Sequence, residues 1–278
     1  MDIVRPPLVG LITLAYRDAG RALWSLRDLA LTAGLIGVAH SLAMKILYTP
    51  GFARATGWFG RELAGLMLAA GWIFLLVPFM IAVHRFVLLD ETQAHYLVER
   101  RNPRTLRFFG AWIALLLVVA TPGPIALSGL AAVQPFDWWV WMLILPLVVL
   151  PVLLSLRMTL LFPAIAVDAP GATWVNAYQD TKGHSLRICV VYVAAGIPAI
   201  ATVWVCKALL QVLVISGHTA FAAAGVPAGV LEVSNNLIVM TVSNALYVGW
   251  VALMVVIASR LYQSLGDRVR LRSEPQSA

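Results

Sequence analysis

The chain has 278 residues, of which 61% are hydrophobic and 12% charged, and its formal net charge is +7. A soluble domain carries about 25% charged residues, so a water-soluble globular fold is excluded: no soluble core could hide this much apolar surface. A basic excess in a soluble protein would point to nucleic acid, but here no motif interleaves the charges with base-stacking aromatics, and their place is one face of a membrane, beside anionic lipid headgroups.

Residues 8 to 24 read as an amphipathic helix. Thr13, Arg17, Arg21 and Ser25 recur on one face, with Leu8, Leu11, Ile12, Ala15 and Leu23 turned mostly away. Such a helix lies in the headgroup layer or caps a bundle from the cytoplasmic side, and the pattern leaves both open. Its apolar stretch is short and is broken by Arg17 and Asp18, so it is not a secretory signal peptide; the first span is expected to remain as an uncleaved anchor.

Six apolar runs follow, at 29 to 47, 63 to 84, 108 to 132, 138 to 157, 187 to 212 and 236 to 259. A bilayer core of about 30 Å takes roughly 20 helical residues, and each run is of that order. The runs are continuously apolar, whereas barrel strands alternate. The expected fold class is therefore all-α, a polytopic transmembrane bundle of six spans. The expected organisation is a cytoplasmic amphipathic segment (1–27), a transmembrane domain (28–262) and a cytoplasmic tail (263–278).

In the first span Gly34, Gly37 and Ser41 form a stripe of small residues, the kind that lets helices approach closely. His40 and Lys45 follow it. Lys45, and Lys207 in the fifth span, are placed to extend toward the outer headgroups; a buried Lys or His lining a transport path is the sharper alternative. Spans three and five contain Pro122, Pro124 and Pro198, which remove backbone donors and are expected to kink or break their helices. In the sixth span Asn236, Ser243, Asn244 and Tyr247 make a polar seam, either hydrogen-bonded to neighbouring helices or lining a water path.

The even-numbered spans end in "VHRFVLLD", "LRMTLLFPAIAVD" and "SRLYQSLGD", each with an arginine, apolar residues and then an aspartate. From Trp138 to Leu156 is about 28 Å of helix, so Arg157 falls at the inner rim, as do Arg85 and Arg260. These arginines anchor at the headgroups, pair with an acid such as Asp168 or Asp90, or hold a lipid phosphate. The shared ending is compatible with three repeated hairpins. With the N-terminus inside, sixteen Lys and Arg residues are cytoplasmic and only Lys45, Arg54, Arg61 and Lys207 are not, so both termini are expected inside.

Cys189 and Cys206 are 17 residues apart on one expected helix, about 25 Å, and cannot pair within it. No motif for zinc, haem, flavin, phosphate cradling or nucleophilic catalysis is present, and the five histidines are scattered, so no cofactor and no catalytic site is expected. The segment "LRMTLLFPAIAVDAPGATWVNAYQDTKGHSLRI" resembles a pattern in uncharacterised bacterial inner-membrane proteins related to the membrane domain found fused to glycerophosphodiester phosphodiesterases, through Arg157, Pro163, Asp168, Thr181 and Gly183. The soluble phosphodiesterase domain has no counterpart in this sequence, so the resemblance implies a helical membrane module and no catalysis. The expected function is a non-catalytic scaffold of the bacterial inner membrane, touching anionic lipids and a membrane or cytoplasmic protein partner through residues 90–107 and 169–187. The alternative is a small-solute or lipid transporter built on broken spans three and five and the seam of span six.

Overall fold

The computed structural model describes residues 8–92, 102–120, 138–223 and 228–270. The second half of the expected third span, with Pro122 and Pro124, and the tail after residue 270 lie outside the described residues. Among the described residues all regular structure is helical: α1 (Leu8–Ser25), α2 (Arg27–Leu47), α3 (Pro50–Leu89), α4 (Pro103–Ala120), α5 (Trp138–Met158), α6 (Leu161–Ala166), α7 (Trp174–Asp180), α8 (Ser185–Ala223), α9 (Ala228–Leu265) and α10 (Asp267–Arg270).

Five segments are long and apolar enough to cross a bilayer: Arg27–Leu47, Phe59–Leu89, Val149–Ala166, Ser185–Gly217 and Asn236–Leu265. This is a multi-pass helical membrane protein. The surface agrees with that, because α8 leaves Trp204 71% and Leu213 69% exposed, positions that only lipid could cover at low cost. In α3 the apolar span is set off from a shorter helix at Gly57, whose φ of 66° belongs to the left-handed region open to glycine.

Of the expected kink or break of the fifth span at Pro198, a break is not what the structure has. α8 runs without interruption from Ser185 to Ala223, with Pro198 inside it. Pro198 removes one amide donor, but the ladder resumes around it, and its own carbonyl takes a second bond from the Thr202 hydroxyl at 2.8 Å. Pro78, in α3, and Pro146 and Pro151, in α5, are likewise carried inside continuous helices.

α9 is the central element, packed against α1, α2, α3, α6 and α8. α1 does not lie apart on a leaflet: Leu11, Ala15, Ala19 and Ala22 are buried, a small-residue face that lets its backbone come close to α9. The Tyr16 hydroxyl donates to the Ala195 carbonyl of α8 at 2.7 Å, holding α1 across two helices.

The small stripe of α2 meets the seam of α9. A Cβ on Gly37 would stand 2.4 Å from Asn244 Oδ1 and 3.2 Å from its Cβ, so the close approach requires glycine there, whereas Gly34 has open space. Asn244 Nδ2 donates to Ser41 Oγ at 3.1 Å and to the Met240 carbonyl at 2.8 Å. Gly37→Ala is therefore expected to destabilise the bundle by about 1–3 kcal/mol through overpacking. Asn244→Ala in the same chain should recover part of that loss, measured as a double-mutant cycle of thermal unfolding in detergent; additive effects would mean the two residues do not touch.

Candidate functional site

Two places gather polar or convergent chemistry: the arginine-bearing end of the bundle and a cavity between its helices. At the arginine end, α6 is buried along its whole length and closes with Asp168 in the left-handed region, φ 52°. The Asp168 N–H donates to the Ile165 carbonyl at 3.1 Å and the Ala169 N–H to the Ala164 carbonyl at 2.9 Å, a helix stop that usually recruits glycine. Aspartate tolerates this conformation better than most side chains. Asp90 ends α3 similarly, at φ 56°, with its N–H on the Phe86 carbonyl at 3.1 Å.

The three arginines with the shared ending have three different settings. Arg85 grips Glu91 with two bonds, 2.7 Å from Nε and 2.6 Å from a terminal nitrogen, and donates to the Ala166 carbonyl at 3.1 Å. Asp168 stands 4.0 Å from Arg85 and 3.2 Å from Arg104 on α4, so it serves these two cations rather than Arg157. Arg157 stacks over the Tyr178 ring at 4.6 Å and donates from Nε to Ser185 Oγ at 3.1 Å. Arg260 reaches α1, with Nε 2.9 Å from Asp18 Oδ2, a second contact from a terminal nitrogen to the same oxygen, and a bond to Gln263 at 2.7 Å. One sequence ending has become three devices.

Of the residues singled out with Arg157 in the resemblance, Thr181 bonds to its backbone. The buried Thr181 hydroxyl lies 2.8 Å from the Ala177 carbonyl and 3.1 Å from that of Arg157, and Gly183 takes φ 80° in the turn into α8. Thr173 caps α7 by accepting the Asn176 N–H at 3.2 Å. Asp180, at the end of α7, accepts the N–H groups of Arg268 and Val269 at 2.9 and 3.0 Å and so docks α10.

The cavity has a volume of about 610 Å³ and lies between α3, α4, α5, α6, α8 and α9. Its wall is apolar and aromatic, including Met80, Phe108, Trp112, Phe162, Ile197 and Met254, and holds no Asp, Glu, Lys or Arg among the described residues. Most of its few polar groups are engaged within the protein: His84 Nδ1 with Ser259 Oγ at 2.8 Å, Ser155 with the Val152 carbonyl at 2.7 Å and Thr159 with the Ser155 carbonyl at 3.3 Å. The indole nitrogens of Trp72 and Trp250 are buried away from the open space, without a hydrogen-bond partner, although other atoms of both residues line the cavity.

A ladder of rings runs through this wall. His40 stacks on Trp72 with centroids 4.7 Å apart, Trp72 meets Tyr247 at 5.1 Å, and Tyr247 meets Trp250 at 5.8 Å. His40 is thus the outer rung of an aromatic wall. Of the expected seam, Asn236 is exposed, Ser243 is half-buried, Asn244 is packed on α2, and Tyr247 lines the cavity. Lys45 is exposed in the last turn of α2, and Lys207 is half-buried on α8. Cys189 and Cys206 are both free thiols on α8.

Compared with family models, curated proteins and solved structures, the chain finds no match.

Sequence reasoning missed the Asp18–Arg260 pair, because 242 residues separate the partners. A signal was available: Asp18 is the acid that interrupts the apolar side of α1. The cavity gave no signal at all, since its wall residues look like ordinary span residues.

The Asp18 carboxylate is only 4% exposed, whereas Arg260 is 27% exposed. Arg260→Gln leaves a buried carboxylate with only the longer contacts of Arg17 and Arg21, 3.8 and 4.0 Å away, and is expected to cost about 3 kcal/mol. Asp18→Asn should cost less, because Arg260 keeps Gln263 and some solvent; thermal unfolding of the two variants in detergent checks the order. A single cysteine at 244, in a background lacking Cys189 and Cys206, is expected to resist a membrane-impermeant thiol reagent. Rapid labelling there would show a water-filled seam.

Proposed function

We propose that this protein is a six-span bacterial inner-membrane protein, with both termini cytoplasmic, that works as a non-catalytic module holding a lipophilic molecule within the bilayer. The observation that carries the reading is the cavity of about 610 Å³, whose wall is apolar and aromatic. Ligand sites of about 300–1,000 Å³ with such walls and a few convergent polar groups are the ordinary form of a small-molecule pocket. A hydrated solute would lose its water there without regaining hydrogen bonds, so the cavity favours a lipid over a small polar solute.

The packed contact of Asn244 with Gly37 and Ser41 supports the same choice, since the side chain spends its hydrogen bonds on neighbouring protein groups at this point of the seam. The arginine end fits the cytoplasmic headgroup layer, where Trp174, Val175, Tyr178 and Leu186 are exposed beside Arg157 and offer a contact face for anionic lipid or a protein partner. The resemblance carried by Arg157, Pro163, Asp168, Thr181 and Gly183 also fits a membrane module.

Gly196 lines the cavity, and a Cβ there would touch only Met254 Cε, at 3.8 Å. Gly196→Leu is therefore expected to occupy part of the space while leaving the protein folded. Mass spectrometry of lipid retained by the purified protein should show at least a tenfold loss relative to the unsubstituted chain. Equal retention, with unchanged thermal stability, would remove the cavity from the function.

A further inference from the structure

We propose that the arginine end holds a second site, one that takes the phosphoethanolamine headgroup of a phospholipid between Arg21 of α1 and Asp90 at the end of α3. This site is separate from the lipophile cavity and rests only on placing the arginine end in the headgroup layer. A cavity of about 240 Å³ lies there, with Asp18, Arg21, Phe86, Leu89, Asp90 and Arg260 in its wall. Two arginines and two aspartates make that wall neutral as a whole and charged at each place.

The four charges are not equivalent. Arg260 is engaged through Nε with Asp18 at 2.9 Å and through a terminal nitrogen with Gln263 at 2.7 Å. Arg21 and Asp90 are left over. Arg21 is largely exposed, comes no nearer to Asp18 than 4.0 Å, beyond hydrogen-bond length, and lays its guanidinium over the Phe86 ring at 6.0 Å. Asp90 is exposed, and its carboxylate has no hydrogen bond or ion pair among the described residues. A cation and an anion thus line one small cavity without meeting each other. Opposite charges that share a space but not a bond are matched by a ligand that carries both.

The chemistry of each side narrows the zwitterion. The fork of N–H donors on Arg21 suits the oxygens of a phosphate. On the other side α3 ends at Leu89, and the C-terminal end of a helix carries partial negative charge, so it adds to Asp90 in favouring a cation. A primary ammonium brings three N–H donors to such acceptors. A quaternary ammonium brings none and is held by aromatic cages, whereas the Phe86 ring is already under Arg21. A phosphoglycerol head, with net negative charge, would leave Asp90 unmatched beside it. Phosphoethanolamine carries the phosphate and the primary ammonium two carbons apart, and Val87, Leu88 and Leu89 continue the wall with apolar surface for the start of the acyl chains.

The test uses the full chain in detergent, given equal amounts of phosphatidylethanolamine, phosphatidylcholine and phosphatidylglycerol with identical acyl chains, and reads the bound lipid by native mass spectrometry. Phosphatidylethanolamine should be retained about tenfold over each of the others, the effect of one charge-assisted hydrogen bond. Asp90→Asn, which keeps a residue suited to the left-handed backbone there, should remove most of that preference. Arg21→Gln should lower retention of the ethanolamine lipid by a similar factor. Both positions are exposed, so thermal unfolding should be unchanged in either variant. Equal retention of the three lipids overturns the zwitterion, and a preference that survives both substitutions overturns the site. Gly196→Leu should leave the preference intact; its loss there would assign the preference to the other cavity and overturn this proposal. O-phosphoethanolamine, the same headgroup without chains, should bind about tenfold more weakly than the lipid or less tightly still, and equal affinity overturns the membrane as its source.

Discussion

The buried contact between Asp18 and Arg260 is the constraint on which the arginine end depends. In surroundings that offer little water, a carboxylate on α1 is tolerable only if a cation meets it, and Arg260 on α9 does so. That requirement fixes α1 against the central helix. Once α1 is seated, its alanine face closes on α9 and Tyr16 reaches α8, so the N-terminal segment becomes part of the bundle.

The rest of that end follows the same logic with other partners. Arg85 and Arg104 share Asp168, whose left-handed backbone at the end of α6 turns the chain toward α7. Arg157 has instead an aromatic ring and a hydroxyl. Charge is thus concentrated and engaged at one end, while the cavity between the helices is left without fixed charge. An apolar cavity and a charge-rich end thus share one bundle, and α9 connects them by passing Arg260 at one end and Trp250 and Tyr247 along the cavity.

Some of this was legible in the sequence because it depends on local chemistry. The apolar runs of α2, α3, α8 and α9 announce membrane helices by length and hydropathy alone. Gly37 and Ser41 announced a close helix contact, and Asn244 a hydrogen-bonded one; that they meet each other could not be read, since 203 residues lie between Ser41 and Asn244. Pro198 was read as a kink or a break because sequence shows the missing donor and not the ladder that resumes beyond it. The shared arginine and aspartate endings read as one device three times over, and tertiary contacts divided them.

The sequence by itself determined the class of the molecule: a helical membrane protein with a basic end, since hydrophobic length and the placement of charge are properties of consecutive residues. Only the tertiary structure decided where the space lies and which residues line it. A cavity is made by side chains of six helices distant in sequence, each of which would look the same if they were packed shut.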